Sequence, residues 1–320
     1  MFLQANTTEL FNVRDLSLIA PELILTLCAC VALVMEVVLP YRKSRWVGYF
    51  SLVGVALAGV SLLLLWQTTR ASFPVVGFYG TVRIDGFAVV FKSIFLLAAA
   101  LTVAISMRYL DVEGEQHGEY YALVLFATTG MMFLACGYDL IVLYISLELM
   151  AVTFYVLVSY TKRERRTNEA GMKYFLLGAF SSGVLLYGMS LLYGFSGSTL
   201  LADIGDAVAV GETTPFLTLG IVLVVIGFAF KVSAVPFHTW APDTYEGAPT
   251  PITAFLAVSS KAAGFVALLQ LILIAFAGRS DVVGPLMWVL AALTMTVGNL
   301  IALRQTNIVR LLAYSGVAQA

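Results

Sequence analysis

Charged residues are scarce in this 320-residue sequence: Asp, Glu, Lys and Arg make up 12% of it, whereas a soluble domain carries about 25%. Hydrophobic residues make up 60%, more than a water-soluble fold of this size could bury. The net charge of -1 provides no excess of positive charge for binding nucleic acid. The composition therefore argues against a soluble enzyme or a nucleic-acid-binding protein and predicts a chain solvated by lipid.

Sequence patterns for cofactors are missing as well. The three cysteines, Cys28, Cys30 and Cys136, lie in apolar segments without a C-x-x-C pair, and the chain has only two histidines. This pattern does not favour an iron–sulfur site, a zinc site or a bis-histidine haem site. There is no G-x-x-x-x-G-K-[ST] loop for ATP and no G-x-G-x-x-G loop for nicotinamide or flavin. We therefore predict no cofactor, no metal and no redox centre of the chain's own.

What the sequence has instead is a series of apolar runs long enough to cross a bilayer of about 30 Å. Residues before the first run are partly acidic and lack a basic region, so this run reads as a retained span rather than a signal peptide. The predicted fold is all-α: a polytopic transmembrane helical bundle in one membrane domain, residues 1–320. The nine predicted spans are 18–39, 46–66, 87–108, 120–136, 140–160, 170–194, 216–235, 250–277 and 285–303.

A tenth apolar run begins near Asn307 and is still apolar at Ala320, where the chain ends. A membrane helix that stops halfway predicts a truncated chain or a fragment. Basic residues cluster in the odd-numbered loops, which predicts that these loops face the cytoplasm and that the N-terminus lies outside. The basic residues are Arg42, Lys43 and Arg45 in the first loop, Lys162, Arg163, Arg165 and Arg166 in the fifth, and Arg304 and Arg310 around the ninth. The third loop fits less well, because its Arg108 is outnumbered by acidic residues.

Ionisable residues inside apolar runs are the candidates for function. A charge at the bilayer centre costs from ~3 to more than ~10 kcal/mol and is kept mainly where it faces a partner or a polar path. Glu148 lies in the middle of the fifth predicted span and Lys261 in the middle of the eighth, while Lys231 lies in the seventh. We predict that these three residues carry ions; buried structural ion pairs are the alternative.

The seventh predicted span contains a second feature, Pro236, five residues after Lys231. Proline lacks an N–H group, so the helix is predicted to break there. Broken helices are tolerated in membranes where they line a cavity, and transporters use them to place backbone groups near an ion. A lysine that loses a neighbouring carboxylate as partner can release its proton. The sequence therefore predicts a row of lysines and a carboxylate that passes protons.

Two further candidates remain open between two interpretations. Lys173 lies one turn into the sixth predicted span, where it either joins the proton path or extends to the membrane interface. His238 follows the predicted break, and its side chain suits either a proton relay or a satisfied interfacial site. Other charges read as structural: Glu22 follows Pro21 at the start of the first span, and Glu36 and Lys92 lie within reach of helix ends or of one another.

At these residues the sequence resembles a known family. The stretch AFKVSAVPFHTWAPDTYEGAPTPITAFLAVSSKAAGF, residues 229–265, is similar to the N-type membrane subunits of proton-pumping NADH:quinone oxidoreductase, complex I. The motif PDTYEGAP favours the N type over the M and L types. Residues 138–157, 168–188 and 307–320 fit the same family.

The resemblance implies a proton-translocating subunit of a bacterial inner-membrane enzyme complex, with NADH oxidation and quinone reduction in other subunits. Its partners would be the other membrane subunits of complex I, the lipid bilayer and protons. It implies proton-path roles for Glu148, Lys173, Lys231 and Lys261, with His238 inside the matching motif. The implied fold has about fourteen helices with two inverted five-helix repeats: here N-terminal helices at 18–108, a first repeat at 120–277 and the start of a second at 285–320.

Three other functions compete with this interpretation. A subunit of a multi-subunit cation/proton antiporter would use a similar mechanism without a quinone enzyme, and residues 242–251 argue against it. A stand-alone secondary transporter or channel would need a substrate pocket of its own, and no cluster beyond the lysines and the glutamate indicates one. A purely structural scaffold leaves the mid-membrane charges unexplained.

Overall fold

The computed structural model describes residues 13–38, 44–212 and 214–320, with side chains from residue 15. Within these ranges nine helices are long and apolar enough to cross a membrane, as the sequence predicted. We refer to them as spans one to nine, and to the shorter apolar helix Ile308–Ala318 as span ten. Spans one to nine are Ala20–Val38, Arg45–Thr69, Gly86–Glu113, Gly118–Cys136, Leu140–Val158, Arg165–Ser196, Pro215–Val232, Thr250–Ala275 and Ser280–Ala302.

Short elements connect the spans. Helix Val13–Leu18 precedes span one, helix Leu201–Val210 links spans six and seven, and helix Trp240–Gly247 links spans seven and eight. Strands Val75–Gly77 and Val82–Ile84 form an antiparallel hairpin between spans two and three, with Val75 opposite Ile84. The remaining short pieces are 3₁₀ turns at Arg70–Ser72, Phe78–Gly80 and Ala277–Arg279.

Several boundaries differ from the apolar runs that predicted them. Span six begins at Arg165, before the predicted residue 170, because a helix continues past its apolar part into the polar interface. Span seven ends at Val232 rather than 235, because Ser233 takes up a left-handed conformation with φ of 64°. The first-loop residues Arg42 and Lys43, and Leu39 at the predicted end of span one, lie outside the described residues.

Loops of odd number lie together at one end of the bundle. Arg45 of the first loop forms an ion pair with Asp111 of the third, at 3.3 Å between Nη1 and Oδ2. Arg163 of the fifth loop pairs with Glu115 of the third, at 3.2 Å between Nε and Oε1. These contacts explain the acidic third loop, because its carboxylates neutralise the basic loops on either side.

Loops of even number lie together at the other end. The Tyr138 N–H of the fourth loop donates to the carbonyl of Thr81 in the second, and the Tyr138 carbonyl accepts from Leu201 N after span six. Arg279 of the eighth loop donates to the Gly211 carbonyl of the sixth. The chain therefore alternates between two sides, as nine spans require.

The buried centre of the bundle is span four, with span five packed against it. Gly130 of span four faces the backbone of span five so closely that a Cβ there would lie 2.8 Å from both Met150 N and Ser146 O. Small residues of this kind let two membrane helices approach each other. Span five is thereby fixed in place, with Glu148 at its middle.

A direct ion pair joins spans one and three. Lys92 Nζ lies 2.6 Å from Glu22 Oε1, and both side chains are 0% exposed. The sequence allowed Lys92 to pair with Glu36, and this interpretation is wrong. Glu36 instead accepts a hydrogen bond from Ser44 and lies near His117 at the odd-loop end, a whole span length away along the chain from Glu22.

Candidate functional site

The break after span seven is stabilised by side chains from two other segments, the connecting helix and span nine. The helix ends at Val232, the peptide bond between Val235 and Pro236 is cis, and helical structure resumes at Trp240. Trp240 Nε1 donates to the Phe230 carbonyl at 2.9 Å, and the Val235 N–H donates to Thr294 Oγ1 of span nine at 2.9 Å. The break that Pro236 predicted is confirmed, and protein groups satisfy the backbone that it frees.

Lys231 lies at this break and faces span five. Its side chain is 2% exposed, and within the described chain its Nζ has no hydrogen-bond partner. Glu148 of span five is half-buried, and its Oε1 likewise has no hydrogen-bond partner among the described residues. The two charges interact electrostatically without forming a direct ion pair in the described structure. The structure therefore brings together two candidates that the sequence predicted separately.

Aromatic rings surround the Lys231 ammonium group. Its Nζ lies 5.7 Å from the ring centroid of Tyr155 and 5.8 Å from that of Phe230, distances at which a cation is attracted to the ring face. Tyr155 packs edge-on against Tyr174, and Tyr174 stacks on Trp240 with 4.6 Å between the centroids. These rings exclude lipid while leaving the ammonium without a fixed hydrogen bond.

Lys261 occupies a distorted position in span eight. The residues before it, Leu256–Ser260, form a π-helical turn, a feature that often accompanies functional sites. Its side chain is 7% exposed, and Nζ donates to the Gly316 carbonyl of span ten at 2.8 Å. Nζ also lies 5.9 Å from the ring centroid of Tyr245, in the connecting helix. Lys261 is thus bound to neutral groups rather than to a carboxylate.

His238 lies within the break and is 9% exposed. Its ring is tilted against that of Tyr314 in span ten, with 6.0 Å between the centroids. Span ten therefore contacts both the break and Lys261, through Tyr314 and Gly316. Both roles considered for His238 stay open.

Lys173 belongs to a different group of charges, at the odd-loop end. Its side chain is 45% exposed, and Nζ lies 2.8 Å from both Glu169 Oε1 and Asp243 Oδ2. Asp243 also pairs with Arg310 of span ten at 2.7 Å, and Arg310 pairs with Glu246 at 2.9 Å. These five residues, which we name the odd-side clamp, border a cavity of about 550 Å³. The clamp ties span six, the connecting helix and span ten together.

Asp243 is the centre of the clamp. Partial burial acts to raise the pKa of its carboxyl group, but hydrogen bonds from Lys173 and Arg310 outweigh this and hold the pKa below its usual range. A carboxylate with a lowered pKa stabilises the fold above the ordinary pKa of aspartate, and this stability is lost as the pH falls through the lowered value. The Asp243 carboxylate is therefore charged at neutral pH.

Replacement of Asp243 by asparagine is expected to loosen the connecting helix. Because exposed ion pairs contribute only about 0.2–1 kcal/mol each, the expected loss of unfolding free energy is about 1 kcal/mol at pH 7. Hydrogen exchange of the backbone amides in 240–247 should accelerate. The matched control is Asp206→Asn, at an exposed carboxylate of the helix between spans six and seven. Equal exchange in the two variants would contradict a clamping role.

The sequence interpretation missed the residues that surround the candidates. Tyr155, Tyr174 and Trp240 form the aromatic wall, and Thr294 caps the break from span nine. The spacing of Glu148 and Tyr155, seven residues apart in one helix, places them on the same face and could have indicated the tyrosine. No sequence pattern indicates the role of Thr294, because the Val235 N–H group that it accepts a hydrogen bond from lies 59 residues away in the chain. No group of three His, Cys, Asp or Glu suited to a metal ion occurs within the described ranges.

Comparison with known proteins identifies the family to which this chain belongs. Residues 137–320 match the family described as NADH:quinone oxidoreductase/Mrp antiporter, transmembrane. The chain is 47% identical over 317 residues to NADH-quinone oxidoreductase subunit N of Trichlorobacter lovleyi, covering 98% of this chain and 64% of that protein. The chain thus spans just under two thirds of this relative's length.

Solved structures agree with the fold. A chain of respiratory complex I from Thermus thermophilus with bound aureothin superimposes with a TM-score of 0.77 at 37% identity, covering 93% of this chain and 62% of that chain. A chain of the Mrp complex from Dietzia superimposes with a TM-score of 0.82 at 20% identity, covering 96% of this chain and 57% of that one, and supports the fold alone. This chain is a multi-pass membrane protein, and it belongs to the NADH:quinone oxidoreductase/Mrp antiporter transmembrane family.

Proposed function

We propose that the chain forms part of the proton-translocating N-type membrane subunit of NADH:quinone oxidoreductase. Relatives at 44–47% identity carry the name NADH-quinone oxidoreductase subunit N, including those of Solibacter usitatus and Moorella thermoacetica. The Mrp chain shares the fold alone at 20% identity, so it does not favour the antiporter alternative. The subunit contributes to a translocase without a redox centre of its own; electrons pass from NADH to quinone in other subunits.

The observation that carries this proposal is the electrostatic interaction between half-buried Glu148 and buried Lys231, which form no direct ion pair in the described structure. In a medium of low dielectric constant, the carboxylate stabilises the ammonium group. When Glu148 is neutralised or drawn to another charge, Lys231 remains among aromatic rings, and burial favours the neutral amine. Lys231 then releases its proton.

Lys261 is the next acceptor in this proposal. Its ammonium group is held by the Gly316 carbonyl and the Tyr245 ring, so neither partner would block the neutral form. His238 lies between span ten and the break, where its ring nitrogens can donate or accept a hydrogen bond along the path. Lys173, in the odd-side clamp, contributes positive charge at the odd-side end of the bundle. Protons would thus pass from Lys231 at the break to Lys261 in span eight.

The domain organisation and location follow as proposals from the same family. Residues 18–108 form the N-terminal helices, 120–277 the first of two inverted repeats, and 285–320 the start of the second. The odd loops face the cytoplasm of a bacterium, the N-terminus lies outside its inner membrane, and other membrane subunits of complex I are the partners. The shared side of the basic odd loops supports this orientation.

The proposal is tested by Glu148→Gln in the assembled full-length complex, reconstituted in vesicles. The loss of one charge interaction of about 1.4 kcal/mol is expected to slow NADH-driven proton pumping about tenfold. The control is Glu113→Gln, at an exposed carboxylate that ends span three. Normal pumping by an assembled Glu148→Gln complex would reduce the residue to a structural role and remove the main support for the proposal.

A further inference from the structure

An open crevice of about 950 Å³ lies between spans four, five and six at the odd-loop end. Its rim is polar and exposed, with Glu119, Lys162 and Asn168. Its walls between spans five and six include Tyr155, Ser159 and Gly171. Its polar rim lies at the odd-loop end, and the crevice is distinct from the cavity bordered by the odd-side clamp.

Tyr155 of span five lines the crevice. The residue is 7% exposed, and its hydroxyl oxygen is buried without a hydrogen-bond partner in the part of the chain that the structure describes. A buried hydroxyl without a partner costs about 1–3 kcal/mol, so a phenylalanine would be the more stable choice at this position. Packing alone therefore does not explain the presence of the hydroxyl group.

Tyr155 also contacts the proposed proton site. The face of its ring lies 5.7 Å from Lys231 Nζ, and its hydroxyl group interacts electrostatically with Glu148, two turns earlier in span five. One side chain thus borders the odd-side crevice at one edge and the buried pair of charges at the other.

Gly178 of span six keeps space for the hydroxyl group. A Cβ at this position would lie 2.7 Å from Tyr155 Cζ and closer still to the hydroxyl oxygen, so any larger residue would displace the phenol. Gly183 in the same helix differs, because nothing lies within 4 Å of a Cβ built there. The chain therefore provides a matched pair of glycines, one against the hydroxyl group and one in open space.

We propose that Tyr155 is a proton relay between the odd-side crevice and the Glu148–Lys231 pair. The inference rests on the proposed function and adds the entrance of the path. A tyrosine hydroxyl can both accept and donate a hydrogen bond. Its oxygen takes a proton from a hydronium ion in the crevice, which becomes water, while its own O–H bond breaks and that proton moves, directly or through water, to the Glu148 carboxylate. Tyr155 is neutral before and after the transfer, and no oxidant or reductant takes part.

The first experiment is Tyr155→Phe in the assembled full-length complex in vesicles, with NADH-driven pumping measured as a function of pH. Phenylalanine keeps the ring beside Lys231 and removes only the hydroxyl group. Pumping is expected to fall about tenfold, as for the loss of one ordinary hydrogen bond. The deficit should grow as the pH rises, because proton delivery from the crevice then limits the rate. Pumping equal to wild type, or a deficit independent of pH, would overturn the relay.

The second experiment compares Gly178→Ala with Gly183→Ala. The added methyl group is expected to slow pumping about tenfold at 178 and to leave it unchanged at 183. An assembled Gly178→Ala complex that pumps normally counts against the relay; if this variant fails to assemble, the pH profile of Tyr155→Phe decides. Loss of pumping in Glu148→Gln with normal pumping in Tyr155→Phe would leave the proposed function standing and reject the relay alone.

Discussion

Replacement of Lys231 by methionine is expected to slow NADH-driven proton pumping about a hundredfold, the lower end of the range for loss of a group that transfers protons. Methionine preserves much of the volume of the lysine side chain but cannot carry a proton. Every proton that enters through Glu148 in the proposed path passes Lys231 next, so no other described side chain can replace it. The measurement is the initial rate of acidification in vesicles that contain the assembled full-length complex.

The complex should still assemble in this variant. Lys231 Nζ makes no hydrogen bond within the described chain, so its removal leaves no fixed partner unsatisfied. Glu148 loses a nearby positive charge, and it can take up a proton and remain in place as a neutral acid. A normal yield of complex together with lost pumping would therefore separate proton transfer from folding.

Lys231→Arg tests whether a positive charge alone is enough. Arginine stays charged under all conditions that proteins tolerate, so it can attract Glu148 but cannot release a proton. We expect pumping to be as low as in the methionine variant. Arg70→Gln, at an exposed residue just after span two, serves as the control for loss of one positive charge. Substantial pumping with arginine at 231 would contradict proton release from this residue.

The sequence was sufficient to predict the spans, the break and the buried charges, because each depends on local properties. Long apolar runs require lipid, Pro236 cannot continue a helix, and a lysine in the middle of an apolar run requires a partner or a path. The predicted boundaries of the spans were less accurate than their number, because helices such as Arg165–Ser196 extend beyond their apolar part into the interface.

The choice of partners could not be read from the sequence. Lys92 pairs with Glu22 across spans one and three, and Lys173 pairs with Asp243, 70 residues away. Such pairs depend on how the helices rotate and pack, and a hydropathy pattern gives only the length of each helix. The π-helical turn before Lys261 was unforeseen because Leu256–Ser260 contains neither proline nor glycine to mark it.

The second large effect is expected at the Glu22–Lys92 pair, where Lys92→Met should lower the free energy of unfolding by about 3–5 kcal/mol. Both side chains are completely buried, and their charged atoms are 2.6 Å apart. Removal of the lysine leaves a carboxylate in an apolar interior, where the weakly polar Cys136 Sγ lies 3.9 Å from Oε1. The measurement is denaturant unfolding of the purified protein in detergent micelles.

The double variant Glu22→Met/Lys92→Met should recover most of this loss. Replacing both members of a buried ion pair with apolar groups of similar volume is often neutral or even stabilising, because the cost of removing two charges from water disappears. A double variant as unstable as Lys92→Met alone would show that the defect arises from packing and not from an unpaired charge. The matched single variant is Glu22→Gln, which leaves Lys92 with a neutral partner.

The same double variant distinguishes a structural ion pair from a proton-transferring one. Glu22 and Lys92 are in direct contact, whereas Glu148 and Lys231 form no direct ion pair in the described structure, so we expect only the second pair to exchange protons during turnover. We therefore expect the assembled complex with Glu22→Met/Lys92→Met to pump at the wild-type rate, although both charges are gone from the membrane interior. Loss of pumping in a stable double variant would mean that contact distance does not separate the two roles, and the path would then have to include spans one and three.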